Sequence, residues 1–177
     1  MSRRGLPDDS SPRVRLDVGG AGRATVASGI PVLDEVLGLV AHAASFDLEL
    51  EVGAVGGETE VDAVGRALGE VLAVALGRPN AVGLGSAAAP SDEALAYVAL
   101  EASGRPLVVS NVDLTAARLG GLRGDLLARF LAGLAEGAGL TLHVRLLQGE
   151  DTEHVLAAIA KALGLALAQA CSTRPAS

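Results

Sequence analysis

Residues 32–52 of the chain have the sequence VLDEVLGLVAHAASFDLELEV, and residues 126–146 have the similar sequence LLARFLAGLAEGAGLTLHVRL. Each stretch begins with apolar residues at helical spacing and ends with the alternating pattern of a strand. At an offset of 94 residues (127 − 33) they share three leucines and two alanines. The matched pairs are Leu33 with Leu127, Leu37 with Leu131, Ala41 with Ala135, Ala44 with Ala138, and Leu48 with Leu142.

The repeat continues into the next predicted helix. The segment ETEVDAVGRALG at residues 58–69 falls on EHVLAAIAKALG at residues 153–164, at an offset of 95 residues (153 − 58). Each half is therefore predicted to hold strands, a helix, a strand, a loop and a second helix. The pattern predicts an α+β fold of two halves related by a pseudo-twofold axis, each a mostly antiparallel sheet with two helices on one face.

Apolar periodicity gives the expected elements and their boundaries. The predicted strands are Val14–Val18, Arg23–Ala27, Leu48–Val52, Ala96–Leu100, Leu107–Val112 and Leu140–Leu147. The predicted helices are Pro31–Ala44, Glu60–Leu76, Asp125–Glu136 and Thr152–Ala170. We expect one compact unit with a disordered arm at residues 1–12, a first half at 13–90, a second half at 91–171, and a tail at 172–177.

The composition excludes several classes of function. The 177 residues carry a net charge of −7, only 2% are aromatic, and Trp is absent. An acidic chain with few aromatic rings lacks the charge and the stacking surfaces of a nucleic-acid-binding protein. Lys161 interrupts the longest apolar stretch, and no apolar signal region follows Met1. We therefore expect a cytoplasmic protein with no nucleic-acid or membrane partner, in which the lone Cys171 is an incidental thiol.

A carboxylate pair at the start of the second predicted helix is the first candidate site. Glu58 and Asp62 are four residues apart, so they share one helix face and could ligate a divalent cation. Thr59 and Asp62 also match a capping box, which is the commoner use of such residues, and Asp151 suits the N-cap of the last helix. His42, His143 and His154 fit no compact metal-ligand spacing.

Three segments resemble those of a known family. The segment SGIPVLDEVLGLVAHAASFDLEL resembles TGxxFLDHMLxxxAxHxxFDL of the imidazoleglycerol-phosphate dehydratases. Likewise, PSDEALAYVALEASGRP resembles PMDEALxxVxxDxSGRP, and LTLHVRLLQGEDTEHVLAAIAKALGLAL resembles TLHxxxxxGxNxHHxxEAxFKAxAxAL. The resemblance extends from about Val14 to Ala170 and implies the family fold, a pair of βαβ-like halves.

The resemblance also implies a metal site, which this sequence matches poorly. The family binds two manganese ions and eliminates water from imidazoleglycerol phosphate in histidine biosynthesis. The positions that match family ligands hold Glu35, Glu58, Asp62, Glu153 and His154, of which only His154 is unchanged. Ligands are substituted by Thr59, Arg129 and Ala157. Because Arg129 brings a fixed cation, we expect no manganese cofactor and a network of ion pairs in its place.

The resemblance extends in part to groups that line the substrate. His42, Arg105 of SGRP, and Lys161 match polar positions of the family, whereas Gly83 replaces an arginine that contacts phosphate there. Without the resemblance, Arg105 would be interpreted as a turn residue with a surface ion pair. Lys161 would be interpreted as a lysine whose stem lies along its helix.

These observations favour a family member related to histidine biosynthesis that is non-catalytic or has an altered function, because its dimanganese site is largely lost. One alternative is an active dehydratase, or a related carbon–oxygen lyase, with a rearranged carboxylate-rich metal site. A second alternative is a protein that binds a small molecule or has a structural role. The resemblance and the apolar, aromatic-poor composition also predict a homo-oligomer, a trimer or larger.

Overall fold

The computed structural model describes residues 11–53, 61–114 and 125–177. In each half, strands are followed by a helix, a further strand and a second helix, which is the order that the repeat predicts. The strands are β1 (Arg13–Asp17), β2 (Ala24–Ala27), β3 (Asp47–Glu51), β4 (Leu84–Ser91), β5 (Ala94–Glu101), β6 (Leu107–Ser110) and β7 (Thr141–Gln148). The helices are α1 (Pro31–Ala44), α2 (Val61–Leu76), α3 (Leu126–Ala138) and α4 (Thr152–Cys171).

The two sheets repeat one topology. The first sheet has the order β1-β3-β2, in which β1 is antiparallel and β2 parallel to β3. The second sheet has the order β4-β5-β7-β6, in which β5 is antiparallel and β6 parallel to β7. Since β5, β7 and β6 repeat the arrangement of β1, β3 and β2, the structure confirms the predicted pair of α+β halves.

Strand β4 is the element that the apolar pattern did not predict. Its sequence, LGSAAAPS, lacks the β-branched and aromatic residues that mark strands. Small residues are needed there because α4 lies directly against the strand, and a side chain on Gly85 would overlap the backbone of Ala166. The second sheet therefore begins at Leu84, before the boundary after residue 90 that the sequence suggests.

Helices of the two halves pack on each other. Helices α1 and α2 lie on the first sheet, α3 contacts β6, and α4 lies on β4 and β5. Across the halves, α1 contacts α4 and α2 contacts α3. The helices thus form a layer between the two sheets, whose core consists mainly of leucine, valine and alanine.

The start of α1 shows how local sequence positions an element. Pro31 occupies the first helical turn, where a missing N–H costs nothing. Ser28, the one buried polar residue in the described core, donates from its backbone N–H to Asp34 Oδ1 at 2.9 Å and also donates its hydroxyl to that carboxylate. The helix ends at Ala44 and is followed by the C-cap residue Ser45, which adopts a left-handed conformation with φ of 56°.

Helix α4 is the most apolar element. Among the described residues, it is the one helix long and apolar enough to cross a membrane by length and composition. In the structure, 67% of an apolar 18-residue stretch of this helix is buried inside the fold. The apolar residues therefore serve the interior of this protein, where they contact α1, β4 and β5.

Candidate functional site

Two of the positions matched to family ligands lie together where α2 meets α3. Arg129 Nη2 donates to Asp62 Oδ1 at 3.1 Å. The hydrogen bond from Arg129 is the main cause that lowers the pKa of Asp62 below its ordinary value. Both side chains are about 40% exposed, at 41% and 40%. A permanent cation therefore occupies one side of the Asp62 carboxylate.

His154 lies at a second place, in the first turn of α4. Its Nδ1 is 2.6 Å from Glu93 Oε2, and its Nε2 is 3.3 Å from Asp92 Oδ2. The Asp151 carboxylate, which caps α4, is 3.8 Å from Nδ1. The hydrogen bond with Glu93 is the main cause that raises the pKa of His154. Both ring nitrogens thus face carboxylates, an arrangement that favours the imidazolium form.

Glu93 connects the β4–β5 turn to α4. Its carboxylate accepts the backbone N–H of Asp151 at 3.0 Å and of Glu150 at 3.4 Å. These bonds and the contact with His154 lower the pKa of Glu93 to about 2. The sequence analysis did not single out Asp92 or Glu93 as site residues, although both belong to the PSDEAL motif that carries the resemblance.

The other ligand positions that the structure describes do not join these two places. Glu35 is exposed on α1 and Glu153 is exposed in the first turn of α4, while Ala157 offers no donor atom. Within the described parts of the chain, neither glutamate hydrogen-bonds to Asp62, Arg129 or His154. Glu58 and Thr59 lie outside the described residues. Within the described residues, the predicted network of ion pairs is represented by the pair between Asp62 and Arg129.

The described donor groups at these positions are engaged by other groups of the protein. Metal ligation needs a neutral imidazole nitrogen and a carboxylate with free lone pairs. The His154 ring has a carboxylate at each nitrogen, and Asp62 is bound to a guanidinium that cannot lose its proton. Residues 11–53, 61–114 and 125–177 contain no group of three or more His, Cys, Asp or Glu side chains arranged to hold a metal ion.

The three predicted substrate-binding residues lie in different elements. Lys161 Nζ donates to the Pro90 carbonyl near the end of β4 at 3.2 Å, and His154 of the same helix contacts Glu93 in the adjacent β4–β5 turn. Arg105 lies in the β5–β6 loop, where its N–H donates to Ser103 Oγ at 3.1 Å and its carbonyl accepts from Thr141 Oγ1. His42 lies in the last turn of α1. Of the three, Lys161 is thus the one whose contact lies next to that of His154.

A cavity of about 320 Å³ opens between β6 and α3. Its lining is mostly apolar and consists of Val108, Ser110, Val112, Leu114, Asp125, Leu127, Ala128 and Leu131. None of the candidate ligand or substrate residues lines it. The cavity shares helix α3 with Arg129, but the Arg129 side chain is not part of its lining.

Comparison with known proteins decides the family. The sequence profile of imidazoleglycerol-phosphate dehydratase matches residues 28–167. The chain belongs to the imidazoleglycerol-phosphate dehydratase family. Relatives that carry the name imidazoleglycerol-phosphate dehydratase include one from Acetivibrio thermocellus, 36% identical over 94% of this chain and 87% of its own length. Another, from Syntrophobacter fumaroxidans, is 41% identical over 88% of this chain and 81% of its own length.

Solved structures of the family share the fold. The imidazoleglycerol-phosphate dehydratase of Staphylococcus aureus superposes with a TM-score of 0.82 at 25% identity, covering 92% of this chain and 94% of that one. The imidazoleglycerol-phosphate dehydratase of Pyrococcus furiosus also superposes with a TM-score of 0.82, at 27% identity. The superposition covers 97% of this chain and 94% of that one. The resemblance drawn from the three sequence segments and the fold predicted from the repeat are both confirmed.

Proposed function

We propose that this member of the imidazoleglycerol-phosphate dehydratase family does not use the dimanganese chemistry of the family and is non-catalytic or altered in function. The observation that carries the proposal is the environment of His154, whose ring lies between the carboxylates of Glu93 and Asp92. It is the one family ligand that this sequence retains as a histidine, and it is engaged as a hydrogen-bonding partner of the β4–β5 turn.

The second support is electrostatic. A catalytic manganese ion is held by several neutral imidazoles and carboxylates and keeps an open position for substrate. Arg129 replaces one such imidazole, and its Nη2 lies 3.1 Å from Asp62 Oδ1. A metal cation bound to Asp62 would therefore be repelled by the fixed positive charge of Arg129. Ala157 removes a further ligand outright.

An active dehydratase or related lyase is the second candidate, and the relatives favour it. Proteins named imidazoleglycerol-phosphate dehydratase are 36% and 41% identical to this chain over most of its length. Those names fit an active enzyme better than a non-catalytic one. In this candidate, Glu35, Glu58, Asp62 and Glu153 supply oxygen ligands to a hard cation in a rearranged site.

Metal analysis paired with an activity assay separates the two candidates. The purified full chain is loaded with manganese, dialysed and analysed for bound metal, and dehydration of imidazoleglycerol phosphate is assayed with and without manganese. The dehydratase of Acetivibrio thermocellus, treated identically, is the positive control. The first candidate predicts no stoichiometric manganese and no turnover by this chain. Bound manganese together with turnover would overturn it and establish the second candidate.

A carboxylate variant then locates any metal that is found. In the second candidate, Glu153→Gln lowers both manganese content and turnover, because it removes a charged oxygen ligand. Glu136→Gln, on the outer part of α3, is the matched control, since Glu136 pairs with Arg66 and matches no family ligand. Equal effects of the two variants would exclude Glu153 from the site.

A further inference from the structure

Strand β4 forms one edge of the second sheet, whose strand order is β4-β5-β7-β6. It is eight residues long, and its sequence LGSAAAPS has no charged side chain. The other edge strands that the structure describes are shorter: β2 and β6 have four residues each, and β1 has five, of which three are charged. Short strands and charged side chains keep an edge from pairing with another chain. Strand β4 has neither and therefore needs another means.

The Gln169 side chain of α4 lies at the open side of β4. Its Oε1 accepts the backbone N–H of Ser86 at 2.9 Å, and its Nε2 donates to the Ser86 carbonyl at 2.9 Å. A neighbouring antiparallel strand forms the same two hydrogen bonds with an outward-facing residue. The Gln169 carboxamide therefore substitutes for a strand at this position.

The alternation of the strand identifies the other outward positions of β4. Because the N–H and carbonyl of Ser86 point away from β5, those of Ala88 and Pro90 point the same way. Proline has no N–H, and the Pro90 carbonyl accepts a hydrogen bond from Lys161 Nζ at 3.2 Å. Of these three residues, Ala88 is the one whose outward groups have no partner within the described parts of the chain.

Helix α4 runs along this edge with matching spacing. Lys161 and Gln169 are eight residues apart (169 − 161), which is about 12 Å of helix rise. Their partners Pro90 and Ser86 are four residues apart (90 − 86), which is about 13 Å of strand. Between them the helix touches the strand backbone, where a side chain on Gly85 would overlap the helix. One helix face thus contacts successive outward positions of β4.

The chain after α4 continues along the same edge. The N–H of Val82 donates to the Ser172 carbonyl at 2.8 Å, and the N–H of Arg174 donates to the Asn80 carbonyl at 2.8 Å. An antiparallel bridge lies between these two bonds. The residues that follow the helix therefore pair, as a short strand does, with the segment that leads into β4.

We propose that Lys161, Gln169 and residues 172–174, which we call the edge cover, keep β4 from pairing with a strand of another molecule. Gln169 is the central residue, because it satisfies both outward backbone groups of Ser86. Loss of its carboxamide leaves both groups unpaired on a long, uncharged edge, an arrangement that readily adds a strand. Gln169 is neither a candidate ligand nor a candidate substrate residue, so its role is independent of whether the protein is an enzyme.

Hydrogen exchange of the native chain tests the edge cover without a mutation. Mass spectrometry with fragmentation to single amides compares Ser86 with Ala88, each relative to its intrinsic exchange rate. The Ser86 N–H is expected to exchange at least about fivefold more slowly, because it has a hydrogen-bond partner. Ala88 is the internal control, since its N–H points to the same side of the same strand. Equal protection of the two amides would overturn the role of Gln169.

The two glutamines of the chain allow a matched pair of variants. Gln169→Leu removes both bonds to Ser86, whereas Gln148→Leu makes the same change at an exposed position at the end of β7. In freshly diluted Gln169→Leu, the Ser86 N–H is expected to exchange about as fast as that of Ala88. At micromolar concentration, light scattering of this variant should give a larger mass than that of the native chain, with growth of the infrared band of intermolecular β-sheet. Gln148→Leu should match the native chain in each measurement.

The measurements separate the bond to Ser86 from its consequence. A folded Gln169→Leu variant with fast exchange at Ser86 but the native mass would overturn the proposal, because the uncovered edge then adds no strand. A larger mass without the intermolecular β-sheet band would also overturn it. Where circular dichroism shows that the variant is unfolded, the comparison of Ser86 with Ala88 in the native chain decides.

Discussion

Gly133 on α3 lies directly against the backbone carbonyl of Asp62 on α2, and a Cβ at Gly133 would overlap the Asp62 oxygen. The contact is reciprocal, because a side chain on Gly65 of α2 would overlap the carbonyl of Phe130 on α3. The helix backbones are therefore in direct contact at this crossing. The same contact brings Asp62 within reach of Arg129.

Gly133→Ala is expected to destabilise the protein. The added methyl group forces the two helices apart, and overpacking of this kind costs about 2 kcal/mol in the free energy of unfolding. Gly38→Ala is the matched control, since Gly38 lies within α1 with nothing within 4 Å of the added carbon. There we expect a stabilisation of about 0.5–1 kcal/mol from helix propensity. Urea unfolding measures the free energy of unfolding of both variants. Equal changes in that free energy would contradict the close contact at Gly133.

The ion pair between Asp62 and Arg129 is expected to contribute little to stability. Both side chains are about 40% exposed (41% and 40%), so a double-mutant cycle with Asp62→Asn and Arg129→Gln should give a coupling of about 0.5 kcal/mol. Because the pKa of Asp62 is lowered in the folded state, this coupling is present above the ordinary value of 3.8 and is lost as pH falls through the lowered value. Urea unfolding at several pH values and salt concentrations checks it. A coupling that persists below the lowered pKa would show that the pair is not ionic.

His154 and Glu93 are expected to titrate as partners. The raised pKa of His154 means that its contribution to stability is full below about 6.5 and is lost as pH rises through the raised value. Glu93 contributes fully above 4.5 and less as pH falls towards about 2. The contact is therefore strongest between these limits. In NMR titrations, Glu93→Gln should lower the pKa of His154, with Glu136→Gln as a control that leaves it unchanged.

Cys171 is expected to be unreactive in the native protein. The residue is 4% exposed, and burial raises the pKa of its thiol to about 11. At pH 8 about one thiol in a thousand is then the reactive thiolate. Ellman's reagent should modify it quickly only in urea. A Val74→Cys variant, exposed on α2, should gain one fast-reacting thiol under native conditions, and native Cys171 reacting at the same rate would contradict its burial.

Local pattern was enough to predict the helices and six of the seven described strands. Helix α1 matches its predicted bounds because Pro31 suits its first turn and the 3.6-residue period ends at Ala44. The internal repeat predicted the second topology from the first. These features depend on neighbours within a few residues, which the sequence displays directly.

The tertiary structure alone decided which distant residues meet. Glu93 reaches His154 across 61 residues, and Arg129 reaches Asp62 across 67. Neither contact can be derived from spacing, because each depends on how a turn or helix packs against an element that is distant in the sequence. Strand β4 also depends on tertiary contacts, since its sequence LGSAAAPS has weak strand propensity. It is held by pairing with β5 and by the close approach of α4. Propensity and periodicity act over a few residues, whereas these contacts exist only once elements distant in the sequence have packed together.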